Sequence, residues 1–354
     1  MKTYVFPGQG SQHIGMGKDL FDDFPELVEK ADNILGYSIK ELCLEDQDNK
    51  LTSTQYTQPA LYIVNALTYY DKLRKGLSKP DFVAGHSLGE YNAILASDGF
   101  DFETGLKLVK KRGELMGNVD CGSMAAVIGI TQNEIKDIIE SMQLNSIDIA
   151  NINSKNQTVI SGPQKDIEKS KDYFENMGAR VVKLNVSAAF HSRYMRDVSD
   201  EYSLWIKQHK FSPLNIPVIS NITAKPYTND KLLENLSKQL YYPVRWLESI
   251  EYLLKQDAEM EFVEIGPGRV LTNLISNIRK NHNFTIKSNN FDKISDYVEE
   301  WNKRFPIGSK FTCEGYKDIL ISRSKAVVLF GHRGAVYMKG YNGYFDIEEI
   351  EYTF

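Results

Sequence analysis

The sequence predicts an α/β protein with a helix-covered parallel sheet, an inserted ferredoxin-like subdomain and a small β-rich C-terminal module. Three observations carry this. Short apolar strands alternate with amphipathic stretches over roughly the first third of the chain, the pattern of parallel strands joined by helical crossovers. From Gly122 the order becomes strand, helix, strand, strand, helix, strand, the βαββαβ plan. After a polar stretch, the chain closes in short, aromatic, Gly-punctuated strands that suggest a small barrel-like unit.

In order, TYVFPGQGSQ is a strand breaking into a Pro/Gly turn, and helical spacing follows over 17–35 and 57–75. The run FVAG (82–85) is a strand, with helices expected over 89–97 and 102–116. MAAVIGI, TQNEIKDIIESM, IDIANIN, QTVISG, PQKDIEKSKDYFENM and ARVVKLNV make up the inserted subdomain. The chain then returns to the larger body through 187–191 and a helix near 193–209. There follow strand IPVISN, helices at LLENLSKQL and 246–255, strand EFVEIG and a last helix near 270–279. NHNFTIKSNNFDKI reads as linker, and KFTCEG, AVVLFG, AVYMKG and GYFDIEEIEY as the terminal strands. The expected division is 1–121 with 188–281 for the large domain, 122–187 for the insertion, 282–304 for the linker and 305–354 for the small module.

The 354 residues, 42% hydrophobic and 25% charged, have an ordinary globular composition. A net charge of -5 and the absence of any dense Lys/Arg block argue against nucleic acid as a partner. Cys43, Cys121 and Cys313 are scattered and odd in number, so neither a disulfide framework nor a zinc site is expected, and a reducing cytoplasm suits them. MKTYVFPGQG starts as a strand without a signal-peptide core, and no run reaches the length of a membrane span.

The stretch DFVAGHSLGEYNAILA holds Gly85-x-Ser87-x-Gly89 between an apolar strand and a helix, the setting of a nucleophile elbow. A helix N-terminus offers free N–H groups and a favourable dipole to an oxyanion. The same five residues can also make an ordinary strand-to-helix turn. A serine needs a base. His13, His209, His282 and His332 lie in polar stretches or in the tail and read as surface residues, and His86 points away from its neighbour Ser87. His191, in SAAFHSRYM, lies where the chain leaves the insertion and is the candidate base, although a packed strand-end histidine has the same context.

The motifs FPGQGSQ, TQPAL, GHSLGEY, RGELM, GSMAAVIG, AFHS, QLYYPVRW and EIGPGRVLT, in this order over about residues 1–285, resemble the malonyl-CoA:acyl carrier protein transacylases of fatty acid and polyketide synthesis. The resemblance implies a hydrolase-like α/β large domain with a ferredoxin-like insertion, in accord with the pattern above. It implies Ser87 as the acylated nucleophile and His191 as general base, oriented by a backbone group near Gln239. The oxyanion hole would be the N–H groups of Gln9 and Leu88. Arg112 would grip the free malonyl carboxylate, Phe190 would disfavour an α-methyl group, and Gln58 would line the same site. No metal, nucleotide or redox cofactor is implied.

The implied partners are malonyl-CoA and a phosphopantetheinylated acyl carrier protein. The wording around NVSAAFHSRYM is most like free-standing acyltransferases that serve polyketide synthase modules lacking their own. Residues beyond about 285 to 310 exceed an ordinary fatty acid transacylase. Two rivals share the resemblance: an editing acyl hydrolase, which has no need of Arg112, and a non-catalytic scaffold that docks carrier proteins, which has no need of an intact Ser87, His191, Gln9 and Arg112.

Overall fold

Strands buried on both faces belong at the centre of a helix-covered sheet. The computed structural model describes every residue except 120, 314, 315, 317, 330–332, 342, 343, 348, 349 and 354, and the backbone but not the side chains of 229, 281–294, 329 and 333. The chain divides into two compact units, Met1–Ile278 and Arg279–Phe354. The first begins with β1 (Lys2–Phe6), α1 (Pro25–Leu35), α2 (Ile39–Leu44), α3 (Thr54–Arg74), β2 (Phe82–Gly85), α4 (Gly89–Ala96) and α5 (Phe102–Gly117). The insertion follows as β3 (Ser123–Ile128), α6 (Gln132–Ser141), β4 (Asp148–Ser154), β5 (Gln157–Gly162), α7 (Gln164–Asn176) and β6 (Arg180–Lys183). The unit continues through α8 (Arg196–Ile206), β7 (Val218–Ile219), α9 (Leu232–Lys238), α10 (Trp246–Gln256) and β8 (Glu261–Glu264) to the start of α11 (Val270–Arg304).

The main sheet has the order β7-β2-β1-β8 and is parallel throughout, with Phe6 opposite Gly85 and Val5 opposite Glu264. The insertion forms an antiparallel sheet of order β4-β5-β3-β6, the ferredoxin-like arrangement that its sequence order requires. Its own core, including Val127, Ile135, Ile160 and Phe174, is separate from the core around Phe6, Tyr62, Tyr91 and Tyr202.

Gly85 shows why this sheet needs its glycine. A Cβ added there would lie 1.9 Å from the backbone carbon of Gly89, so only hydrogen allows α4 to turn back directly over the end of β2.

Three sequence expectations shift. Helix spacing over 17–35 gives a helix only from Pro25, because Gly17 has a φ of +75° and Pro25 presets the first helical turn. The stretch 193–209 becomes a 3-10 turn, Arg193–Met195, before α8. Residues 282–304, expected as linker, are helical backbone within α11.

The second unit contains β9 (Lys310–Cys313), β10 (Leu320–Ile321), β11 (Val327–Leu329), β12 (Arg333–Tyr337), β13 (Tyr344–Asp346) and β14 (Ile350–Thr353), after the end of α11. Two antiparallel three-stranded sheets form, β10-β9-β14 and β11-β12-β13, so the run GYFDIEEIEY, which reads as one stretch, supplies a strand to each. Trp301 stacks on Phe311 at 5.3 Å in a core with Val298, Val336 and Phe345. Among the described residues no helix is long and apolar enough to cross a membrane.

Gly85→Ala is expected to destabilise the protein by about 3 kcal/mol, the upper range for overpacking, because the added methyl meets backbone that cannot move aside. Thermal unfolding of the purified variant measures this.

Candidate active site

Ser87 connects β2 to α4 with a φ of +50°, a left-handed conformation that strains a serine by about 1–3 kcal/mol. The turn is held from both sides. Ser87 N–H donates to Asn221 Oδ1 at 2.7 Å, and Ser87 C=O accepts from Gln239 Nε2 at 2.8 Å. Asn221 in turn donates from Nδ2 to Gly85 C=O at 2.6 Å, so one side chain fixes the backbone on both sides of His86. The strain aims Ser87 Oγ at His191 Nε2, 2.8 Å away.

His191 also has positive φ, +56°, and its N–H donates to Leu240 C=O at 3.0 Å. Its Nδ1 lies 2.8 Å from Gln239 C=O. A carbonyl only accepts, so Nδ1 carries the proton and Nε2 is left as acceptor toward Ser87. Burial, reinforced by the positive charge of Arg112, lowers the imidazole to about 3, which keeps His191 neutral. A neutral imidazole hydrogen-bonded to a hydroxyl is arranged to accept its proton.

Arg112 comes from α5 and is 1% exposed. One terminal nitrogen donates to Gln58 Oε1 at 2.5 Å; the other donates to Gln239 Oε1 at 2.9 Å and to Ser87 Oγ at 3.2 Å. The guanidinium also lies 5.7 Å from the centre of the Tyr91 ring, and its Nε has no partner among the described residues. No carboxylate reaches ion-pair distance of Arg112 among the described residues. A buried cation left to neutral partners is a strong receptor for an anionic group.

Gly8 packs its turn onto the elbow. A Cβ on Gly8 would lie 2.3 Å from His86 C=O and 3.6 Å from Leu88 N, so the turn that carries Gln9 packs directly on the elbow. Among the described residues neither the Gln9 N–H nor the Leu88 N–H has an acceptor. Free donors on the elbow and on the turn packed against it suit developing negative charge on an oxygen. The Gln9 side chain is held by Thr54 Oγ1 at 2.7 Å.

Phe190 is buried in the main core next to the base. His191 also opens onto a cavity of about 380 Å³ whose walls include Arg193, Arg196, Tyr241 and Tyr242.

All eight residues singled out in sequence thus fall within this region or the core supporting it. The Gln239 carbonyl orients the base, while its side chain has a second role toward Arg112 and Ser87. Three participants escape sequence reading: Asn221, Tyr227 and Glu90. Asn221 and Tyr227 are near neighbours in sequence but lie 131 and 137 residues from Glu90, whose carboxylate accepts from the Asn221 N–H and the Tyr227 hydroxyl, and only folding brings the three together. Glu90 is the exception in one respect, since it directly follows the Gly-His-Ser-Leu-Gly run. His86 does face away from the site, but it is tied down: its Nε2 lies 2.8 Å from Asn153 Oδ1 in the insertion, and its ring is 5.5 Å from Trp246. Of the remaining histidines, His13 is exposed and His209 is half-buried against Trp205; the side chain of His282 and all of His332 lie outside the described residues.

The acyl transferase domain family matches residues 3–293. This chain belongs to that family. It is 54% identical over 282 residues to the polyketide biosynthesis malonyl CoA-acyl carrier protein transacylase PksC of Bacillus subtilis strain 168, covering 79% of this chain and 98% of that one. It is 38% identical over 311 residues to the malonyl CoA-acyl carrier protein transacylase of Staphylococcus aureus strain COL, covering 84% and 97%. The crystal structure of malonyl CoA-acyl carrier protein transacylase from Burkholderia pseudomallei is 48% identical and superposes with a TM-score of 0.78, over 79% of this chain and 98% of that one. The acyl transferase domain therefore accounts for the larger unit and its elbow, and the antiparallel sheets of the second unit lie beyond the matched residues.

Asn221→Ala removes the clamp on the strained acyl transferase elbow. It is expected to slow acylation of Ser87 by at least about tenfold, equivalent to about 1.4 kcal/mol, with a lower thermal midpoint. Rapid-quench acylation beside calorimetry checks both.

Proposed function

We infer that this chain transfers the malonyl group of malonyl-CoA to the phosphopantetheine thiol of an acyl carrier protein and supplies polyketide synthase modules that lack their own acyltransferase. The observation that carries the reading is the approach of Arg112, buried and free of carboxylate partners, to within 3.2 Å of the Ser87 hydroxyl. A guanidinium there recognises an acyl group with its own negative charge. The higher identity to a transacylase named for polyketide biosynthesis supports the polyketide context.

In the proposed reaction Ser87 Oγ attacks the thioester carbonyl as His191 Nε2 takes its proton. The carbonyl oxygen becomes an oxyanion that accepts from the Gln9 and Leu88 N–H groups, a contribution of about 3 kcal/mol per donor. When the tetrahedral centre collapses, the C–S bond breaks and the imidazolium returns its proton to the departing CoA sulfur. The carrier thiol then repeats the sequence on the seryl ester, giving ping-pong kinetics. Each step is a proton transfer or acyl shift among these groups, so none calls for a metal or redox cofactor. Burial is the main cause of the lowered His191, and a malonyl carboxylate on Arg112 would neutralise the charge that adds to it, making the imidazole a stronger base once the correct acyl group is seated.

The proposed site residues fall in 1–121 and 188–281, which we assign to the acyltransferase domain proper. Residues 122–187 are the inserted subdomain, and the separate module takes in the end of α11 as well as 305–354, since Val298 and Trp301 belong to its core. The proposed compartment is the cytoplasm, a reducing environment suited to three free cysteines. An editing hydrolase would need Ser87 and His191 but gains nothing from an unpaired Arg112.

Intact-protein mass after brief incubation with malonyl-CoA or acetyl-CoA, followed by a carrier protein, tests this. A malonyl adduct that moves to the carrier supports the transferase; an adduct lost to water, or one favouring acetyl, supports the hydrolase. Ser87→Ala should abolish the adduct. Arg112→Ala should lower malonyl loading about 100-fold and raise relative preference for acetyl. Unchanged malonyl turnover in Arg112→Ala would refute the carboxylate grip.

A further inference from the structure

We propose that Glu90 is a positioning residue for malonyl transfer: its carboxylate fixes the orientation of the Gln239 side-chain amide and, through that amide, the aim of Arg112. The inference rests on the reading of Arg112 as the carboxylate grip.

Glu90 lies in the first turn of α4 and is wholly buried. Its Oε1 accepts from Asn221 N–H at 2.9 Å and from Tyr227 OH at 2.7 Å. Its Oε2 accepts from Gln239 Nε2, the same nitrogen that donates to Ser87 C=O at 2.8 Å. The other end of the amide, Gln239 Oε1, accepts from Arg112 at 2.9 Å. The chain therefore has a direction. Glu90 accepts only, so the Gln239 NH₂ faces it, and the Gln239 oxygen is left for a guanidinium that donates only. Reversing the amide would set oxygen against carboxylate at one end and NH₂ against guanidinium at the other.

A glutamine at position 90 cannot reproduce this direction. If its oxygen serves Asn221 and Tyr227, its own NH₂ meets the Gln239 NH₂, donor against donor. The mismatch clears only if Gln239 reverses, which turns a donor on Arg112 and withdraws the bond to Ser87 C=O. A protonated Glu90, carrying O–H toward Gln239, has the same fault.

The charged and titratable groups facing Glu90 are Arg112 from α5, Tyr227 from the loop after β7 and Tyr91 on its own helix. Burial pushes the Glu90 carboxyl up to about 7, although Tyr227, Asn221 N–H, Gln239 and Arg112 all pull it down. The ionised form is the one that orders the chain, so malonyl transfer should fall as pH drops through this range. The limb is read in kcat/KM, which reports the free enzyme, where His191 is lowered to about 3 and adds no limb near neutrality.

The test compares kcat and KM for malonyl-CoA and acetyl-CoA across acid and neutral pH. In Glu90→Gln, kcat/KM for malonyl should fall about tenfold more than for acetyl, mainly through KM, and the acid limb near neutrality should vanish. Equal losses for both substrates, or a limb that persists, overturn the proposal. Tyr227→Phe removes one donor that lowers the Glu90 carboxyl and should move the limb to higher pH; a limb that stays put also overturns it, and this arm serves if Glu90→Gln fails to fold. Arg112→Ala separates the two levels: retained malonyl preference there defeats the carboxylate-grip reading, whereas preference lost there but kept in Glu90→Gln defeats this inference alone.

Discussion

A guanidinium that has left water without meeting a carboxylate is the constraint around which this site is arranged. Removing a cation from water is costly, by several kcal/mol even after relaxation. Here the direct contacts are neutral, namely the oxygens of Gln58 and Gln239, the Ser87 hydroxyl and the Tyr91 ring, while the Glu90 carboxylate stands one side chain further off, behind Gln239. Those partners come from α3, the segment after α9, the elbow and α4, so the surrounding fold is fitted to one side chain. Neutral dipoles stabilise the charge less than a carboxylate would, and the difference remains available to a ligand.

The nucleophile and its base share a second constraint. Ser87 and His191 each occupy the left-handed region of backbone space, where a side chain is held only if the surroundings leave it no alternative. Asn221 and Gln239 supply that restraint for Ser87, and the chain around Leu240 supplies it for His191. Gln239 joins the two: its carbonyl sets the tautomer of the base, and its amide holds both the backbone of the nucleophile and the guanidinium.

Much of this is legible in the sequence because it depends on local patterns. The short continuous apolar runs around Val5 and Val83, the βαββαβ order after Gly122 and the GHSLG turn are short-range signals. His191 and Arg112 become readable through the motifs AFHS and RGELM. What stays hidden depends on closure. Asn221 is 134 residues from Ser87, and in sequence it is one polar residue after a short strand. Glu90 reads as an ordinary acidic residue in the first turn of a helix, where it would suit the helix dipole; its burial against Tyr227 and Gln239 follows only from tertiary packing. Helix limits are missed where a single backbone angle decides them, as at Gly17.

The distribution of the Arg112 contacts has a consequence for how such a site can diverge. Gln58, Gln239 and Glu90 form a directional set of donors and acceptors that makes sense only with a cation at its end. Deleting the cation leaves amide oxygens buried and facing a void, so a lineage drifting toward neutral acyl groups passes through a poorly satisfied intermediate unless several of these positions change together. At this site a single substitution of Arg112 would therefore strand the partners built around it, and a change of acyl group asks for several positions to move together.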